Sequence, residues 1–260
     1  MLRNSFSFLD GIGTTREQRL WEHGITEWRD FIEADDLHGI GDSTNEKHTS
    51  FLQKAQKNLE ARNRAFFNSK VPNNQHWRMF REFRDSIAYL DIETTGLNKQ
   101  RNDITTIAIY DGDDARALVQ GQDLTRETLQ QELDRHDLIV TFNGKQFDLP
   151  FIKAQFPEIK LEHPHIDLMY SCRKIGLTGG LKAIEKELGI GRDDVDGVDG
   201  KDAIRLWKRY QRHDDEAALE RLVEYNKKDV ENLAPLLETN YRRRAQKVVP
   251  DPVRDRIVSL

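Results

Sequence analysis

The sequence predicts an α/β domain preceded by a small all-helical one, and three observations carry that expectation. From Ser86 onward, short aliphatic and β-branched runs alternate with polar turns and helical stretches, the pattern of a mixed sheet with flanking helices. After Gly180 the apolar residues recur only at helical spacings. Before about Asn63 the same helical spacing is punctuated by a repeated Gly-Ile-Gly. At 260 residues the chain is long enough for one sizeable core and a small second domain. The expected division is 1–62 for the helical module, 63–84 for a basic and aromatic linker, 85–245 for the α/β domain and 246–260 for a tail.

The first sixty residues place Gly11-Ile12-Gly13 and Gly39-Ile40-Gly41 28 positions apart. Between them Leu20, Trp21, Ile25, Trp28, Phe31 and Ile32 fall at helical spacings. Gly24-Ile25-Thr26 reads as a helix end followed by a new N-cap at Thr26. Asp35, Asp36 and Asp42 crowd the second glycine element and argue that the first of the two is the one suited to an anion. Between Lys54 and Arg84, eight Lys and Arg residues are opposed only by Glu60 and Glu82, a local surplus of six positive charges. Phe66, Phe67, Trp77, Phe80 and Phe83 are interleaved with them. Two readings stay open: basic residues on phosphates with aromatics stacked on bases, or aromatics anchoring the segment in a core.

In the α/β region, strands are expected at 87–92, 104–110, 115–120, 138–142 and around 165–168, with Asp111-Gly112 turning the second into the third. Helices are expected at 126–134 and 150–155, Pro150 suiting a first turn. Further helices follow at 181–188, 202–210 and from 214 to about 244. The last run carries Leu219, Leu222, Val223, Val230, Leu233 and Leu237 as its buried stripe.

Three short motifs carry the chemistry. Asp91 and Glu93 lie at i and i+2 in a strand, so both side chains leave the same face. Asp148 closes the segment Asn143…Phe147-Asp148, and Tyr225 and Asp229 sit four apart on one helix face. A cluster of carboxylates is unfavourable unless cations neutralise it, and oxygen-only ligands suit Mg²⁺ or Mn²⁺ rather than zinc. Phosphodiester hydrolysis builds charge on the attacking and leaving oxygens, which two ions ~3.5–4 Å apart stabilise. Asp91, leading the strand motif, is the expected bridging ligand. Glu93 and Asp229 would complete one ion and Asp148 would hold the other.

Asp167, at the end of the last strand, is read either as a further ligand or as the cap of the following helix. His163 and His165 lack the additional nitrogen or sulfur ligands of a zinc site and read as strand-face residues. The loop 192–200 lacks the spacing of a twelve-residue calcium loop and reads as solvated.

The set Asp91-Ile-Glu93, Asn143…Phe147-Asp148 and Tyr225-x-x-x-Asp229 resembles the three motifs of the DEDD, or DnaQ-like, exonucleases, a branch of the ribonuclease H-like fold. Glu224 stands where the histidine subclass carries His, so the resemblance is to the tyrosine subclass. Within it, GGLKAIEKELGI, DGKDAIRLWKRY and LVEYNKKDVENL are similar to a predicted ribonuclease H-like exonuclease family of bacteria and archaea, over about Ser86 to Tyr241. The resemblance implies a ribonuclease H-like mixed sheet and 3′→5′ hydrolysis of nucleic acid to nucleoside 5′-monophosphates with two Mg²⁺ or Mn²⁺ ions. It also implies that Tyr225 orients the attacking water. The backbone of Thr94, Thr95 and Gly96, which otherwise reads as a simple turn, would cradle the terminal nucleotide, Leu97 would wedge against its base, and Asn143 and Phe147 would bind nucleic acid.

The N-terminal residues resemble a tandem helix-hairpin-helix unit. That implies DNA held by its backbone at Gly11, Ile12 and Gly13, where amide groups and a helix N-terminus meet a phosphate. DNA is therefore the favoured substrate. RNA, internal cleavage, or a DNA-binding adaptor without activity are the alternatives. The single cysteine, Cys172, and the lack of any apolar run of ~20 residues lead to an expectation of a cytoplasmic protein that does not engage a membrane.

Overall fold

The computed structural model describes residues 1–34, 37, 41–191 and 200–258, with Asp42 by its backbone alone. It divides into two compact units: Met1–Arg84 with Glu162–Pro164 and Thr239–Leu260, and Asp85–Leu161 with His165–Glu238.

The first unit is helical: α1 (Thr14–Glu22), α2 (Trp28–Glu33), α3 (Asp42–Glu60), α4 (Arg64–Lys70) and α5 (Phe80–Phe83). α1 ends in a Schellman arrangement, in which Gly24, at φ 88°, lets its own N–H and that of Ile25 reach the carbonyls of Trp21 and Leu20. α2 is capped one residue later than expected. Glu27 is the N-cap and Asp30 closes a capping box, while Thr26 donates its N–H and hydroxyl to the Asp30 carboxylate. Phe6 and Phe31, with ring centroids 5.5 Å apart, pack into a core with Trp21, Trp28 and Leu52.

At the centre of this unit the guanidinium of buried Arg78 meets the carboxylate of buried Glu17, at 2.7 and 3.2 Å. Glu17 also accepts from the N–H groups of Phe6 and Ser7. Such satisfaction is what makes a buried ion pair tolerable. The aromatics of 66–83 are resolved in favour of the core reading for four of five: Phe67, Trp77, Phe80 and Phe83 are buried and only Phe66 is partly exposed. Trp77 and Phe80 stack against Tyr241 at 6.0 and 5.2 Å. Within the stretch expected to be a tail, a short helix, Arg254–Val258, buries Ile257.

The second unit is built on a five-stranded sheet: β1 (Ile87–Thr94), β2 (Ile104–Tyr110), β3 (Ala115–Val119), β4 (Leu138–Thr141) and β5 (His165–Asp167), in the order β3-β2-β1-β4-β5. β1, β2 and β3 run antiparallel, while β4 and β5 run parallel to β1. This is the mixed sheet the sequence led us to expect. β1 and β2 read as nearly unbroken apolar runs because helices cover both faces. The 111–114 turn between β2 and β3 is closed by the Asp111 carboxylate, which accepts from the N–H groups of Asp113 and Asp114.

The second unit's helices among the described residues are α6 (Arg126–Asp134), α7 (Asp148–Gln155), α8 (Leu168–Arg173), α9 (Leu181–Leu188), α10 (Gly200–His213) and α11 (Glu216–Val248), whose residues from Thr239 onward count with the first unit. One layer joins Ala88, Leu90 and Ile92 of β1 to Leu129 and Leu133 of α6 and Phe151 and Ile152 of α7. The other packs Val119 against Ala203, Trp207, Leu219, Leu222 and Tyr225 of α10 and α11. The even-numbered residues of β1 therefore serve the α6–α7 core. The period of two sends Tyr89, Asp91 and Glu93 to the opposite face, where α10 packs on β1.

Candidate functional site: a carboxylate cleft

β1 supplies Asp91 and Glu93 near its C-terminal end, where the pairing with β2 slips between Glu93 and Thr94. The bulge ends regular pairing and turns the chain out of the sheet. α11 supplies Tyr225 and Asp229 one turn apart, and α7 supplies Asp148 as its first residue. α7 begins two residues earlier than the sequence led us to expect, which puts Asp148 at the helix N-terminus rather than in the loop before it.

Carboxylate oxygens of Asp91, Glu93 and Asp229 lie within 4.8 Å of one another. Asp148 lines the same cleft, of about 370 Å³, together with Asn143, Phe147, Lys182 and Tyr225. One Asp148 oxygen is buried with no hydrogen-bond partner.

The protonation balance follows from this crowding. Burial, then the charges of Asp148, Asp229 and Glu93, push Asp91 well above the usual carboxylate range. Burial and then Asp229 and Asp148 do the same to Glu93, against the opposing pull of the Lys182 ammonium. Burial raises Asp148 to about 7, partly offset by the backbone N–H groups of Asp148 and Ile92. Three acids are thus held toward their neutral forms by burial and mutual repulsion that the Lys182 ammonium offsets only in part.

Asp167 takes the capping role that was one of its two readings. Its carboxylate accepts from Asn143 N–H at 2.9 Å, Lys145 N–H at 3.0 Å and Met169 N–H at 3.1 Å, so it caps α8 and ties down the 143–145 loop. That loop is conformationally demanding. Asn143 sits at φ 67°, and a Cβ on Gly144 would lie 2.2 Å from the Thr141 hydroxyl. The same hydroxyl accepts from Gly144 N–H and pairs with His165, which is therefore tied to the strand.

The remaining residues singled out in the sequence are dispersed. Thr94 is buried and bonds its hydroxyl to the Gly96 carbonyl. Thr95 exchanges bonds with Asp103. Leu97 is 85 % exposed in the loop after β1. In the first unit, Gly11 takes φ 75° and its carbonyl accepts from Arg16, while Gly13 is the N-cap of α1. Ile12 is buried, and its N–H donates to the Leu9 carbonyl at 3.0 Å. The second glycine element, Gly39-Ile40-Gly41, falls largely outside the described residues, as do Asp35, Asp36, the Asp42 side chain and residues 192–199 of the acidic loop.

Two participants were missed in the sequence. Asn226, fully buried, donates to Asp91 at 2.8 Å and accepts from Thr106 at 2.9 Å, so it links α11 to β1 and β2. Its spacing of three from Asp229 places it on the same helix face, a signal that was available. Lys182, in the first turn of α9, lies 4.9 Å from the centre of the Tyr225 ring. Nothing in its local sequence marks it out.

A family model described as the RNase_H superfamily matches residues 88–241. An uncharacterized protein of Methanocaldococcus jannaschii is 28% identical over 157 residues, covering 55% of this chain and 89% of that protein. Among solved structures, the family B DNA polymerase of Pyrobaculum calidifontis aligns with TM-score 0.48 and 15% identity over 67% of this chain. The match spans only 27% of the polymerase. NrnC of Brucella melitensis with bound Mg²⁺ aligns with TM-score 0.36 and 20% identity over 62% of this chain and 86% of that one. No helix of the described residues is long and apolar enough to cross a membrane.

Proposed function

The chain belongs to the RNase_H superfamily, and from that premise we propose that the carboxylate cleft hydrolyses phosphodiester bonds of nucleic acid. The reading is a 3′→5′ exonuclease of the tyrosine subclass, acting on single strands or 3′ ends, with DNA favoured and nucleoside 5′-monophosphates released. The observation that carries it is the convergence of Asp91, Glu93 and Asp229 within 4.8 Å, with Asp148, one of whose buried oxygens has no hydrogen-bond partner, lining the same cleft.

The residues fit a pair of hard cations, Mg²⁺ or Mn²⁺. The donor set is oxygen only, and a buried carboxylate oxygen lacking any partner is what a metal or its water would satisfy. Asp91, Glu93 and Asp229 would hold one ion, and Asp148 with Asp91 the other. Bound cations supply neutralisation of the charge that develops on the attacking and departing oxygens.

The chain's own residues do the rest. Asn226 fixes the Asp91 carboxylate through its amide N–H, keeping one oxygen oriented by a bond to a rigid helix. Tyr225 presents its phenol at the cleft margin, where it orients a water rather than deprotonating it, since its ordinary pKa is ~10. Lys182 partly balances Glu93 and holds the Tyr225 ring. Asn143 and Phe147 line the wall against which a terminal nucleotide would rest, and Thr94 at the end of β1 with Thr95 and Leu97 in the loop after it would meet that nucleotide outside the cleft lining.

Residues 1–62 are assigned as a helix-hairpin-helix module, holding DNA by backbone amides at Gly11 and Gly13, on either side of buried Ile12. The basic segment 63–84 connects them to the nuclease domain, 85–245, and 246–260 forms the C-terminal end. The test is hydrolysis of 5′-labelled DNA and RNA of one sequence with Mg²⁺, Mn²⁺ or EDTA. The proposal expects metal-dependent shortening from the 3′ end, and cleavage that persists in EDTA would overturn it.

A further inference from the structure

The carboxylate cleft has a neighbour of opposite character. An opening of about 510 Å³ carries Lys99, Lys145 and Lys153 around a floor that includes Leu149, Pro150 and Leu161. No carboxylate lines it. All three lysines are exposed, and none is engaged in an ion pair among the described residues. Three uncompensated ammonium groups around half-buried apolar side chains form a surface that attracts a polyanion with apolar faces.

Its position relative to the cleft is fixed by the chain itself. Asn143, Phe147 and Asp148 line the carboxylate cleft, while Lys145, Leu149 and Pro150, interleaved with them in sequence, line the basic groove. One loop and the first turn of α7 therefore form the wall between the two openings. Lys153 and Leu149 stand four apart on one face of α7, opposite buried Phe151. Asp167 holds the intervening loop through the N–H groups of Asn143 and Lys145, so the wall is braced from beneath. Lys99 closes the groove from the loop after β1.

We propose that this groove is the track for the body of the substrate strand: a single-stranded nucleic acid whose end lies at the carboxylates passes over the α7 ridge with its phosphates on Lys99, Lys145 and Lys153. The proposal rests on the nuclease reading for its direction but not for its chemistry, because phosphate binding needs no turnover. An opening of this size is too small to enclose a duplex, and its apolar floor suits sugars and unstacked bases. The three lysines account for specificity toward chain length, not sequence, since phosphate contacts carry no base information.

The experiment is equilibrium binding in EDTA of a fluorescein-labelled single-stranded oligonucleotide of about twelve nucleotides. Affinity is followed from about 50 to about 200 mM KCl for the full chain and for the triple variant Lys99→Gln/Lys145→Gln/Lys153→Gln. Each phosphate contact on a single strand contributes about 0.7 to the slope of log K against log salt. The triple variant is expected to lower that slope by about 2 and to weaken binding about ten- to a hundredfold at low salt. Lys208→Gln, an exposed lysine on α10, controls for net charge and is expected to move neither.

Should the triple variant melt differently from the parent, Lys153→Gln alone is expected to lower the slope by about 0.7. Binding and slope unchanged in the folded triple variant would overturn the track even if the protein cleaves DNA. A lysine-dependent slope in a protein that cleaves nothing would keep the track and remove the nuclease reading instead.

Discussion

Replacing Asp148 with Asn separates the cost of the carboxylate cluster from its use. The side chain is buried, one of its oxygens has no partner, and its carboxyl is raised from 3.8 to about 7, chiefly by burial. A folded-state pKa above the unfolded value means that the native protein binds a proton which the unfolded chain has released. Stability from this group is therefore complete below about pH 4 and is lost as pH rises toward 7. A shift of about 3 units corresponds to roughly 4 kcal/mol once the group is ionised in both states, an upper figure because its neighbours titrate with it.

Between pH 5 and pH 8 the metal-free protein should lose roughly 2–3 kcal/mol through this residue. For a domain of this size that is roughly 5–10 °C in melting temperature. Asp148→Asn cannot ionise, so its melting temperature in EDTA should fall less over the same range and cross above that of the parent. Adding Mg²⁺ at pH 8 should reverse the order, because only the parent keeps all four carboxylates and so gains more from the cations. Thermal melts of both proteins at several pH values, with EDTA or Mg²⁺, are the assay. Parallel curves in EDTA, or equal gains with Mg²⁺, would refute the reasoning.

Three further outcomes follow from the geometry. Asn226→Ala removes the bond to Asp91 and leaves the Thr106 hydroxyl unpartnered. It should cost about 1–3 kcal/mol by denaturant titration and lower kcat on oligonucleotides at least about tenfold. Gly144→Ala would force a methyl to 2.2 Å from the Thr141 hydroxyl. Moving the 143–145 loop should cost about 1–3 kcal/mol, and the check is whether KM for oligonucleotide rises with it. Glu17→Ala strands the buried Arg78 guanidinium and should destabilise the helical unit by about 3–5 kcal/mol, read as loss of amide protection in α1 and α2 by hydrogen exchange.

How much of this was legible depends on the range of the interaction concerned. The shared face of Asp91 and Glu93 follows from the strand period and Tyr225 with Asp229 from the helix period, both local rules. β1 and β2 were placed from their aliphatic runs, whereas the strand order β3-β2-β1-β4-β5 is set by pairings between distant segments, which periodicity does not show. What was missed depends on partners distant in sequence. Asn226 gains its role from Asp91 and Thr106, 135 and 120 residues away, and Lys182 gains its role from the Tyr225 ring. The aromatics of 66–83 could not be assigned because burial and base stacking select the same residue types, and only the packing of Trp77 and Phe80 on Tyr241 distinguishes them. The cap of α2 moved from Thr26 to Glu27 because Asp30 was positioned to complete a box, a competition between neighbouring polar residues that propensity ranks closely.

The central claim is that Asp91, Glu93, Asp148 and Asp229 act together with metal on a phosphodiester. Its most direct measurement is the product ladder from 5′-labelled single-stranded DNA in Mn²⁺ or Mg²⁺, with Asp91→Asn run in parallel and shown by circular dichroism to be folded. The account predicts stepwise shortening from the 3′ end in the parent and a loss of at least about a thousandfold in the variant. Undiminished cleavage by folded Asp91→Asn would contradict it.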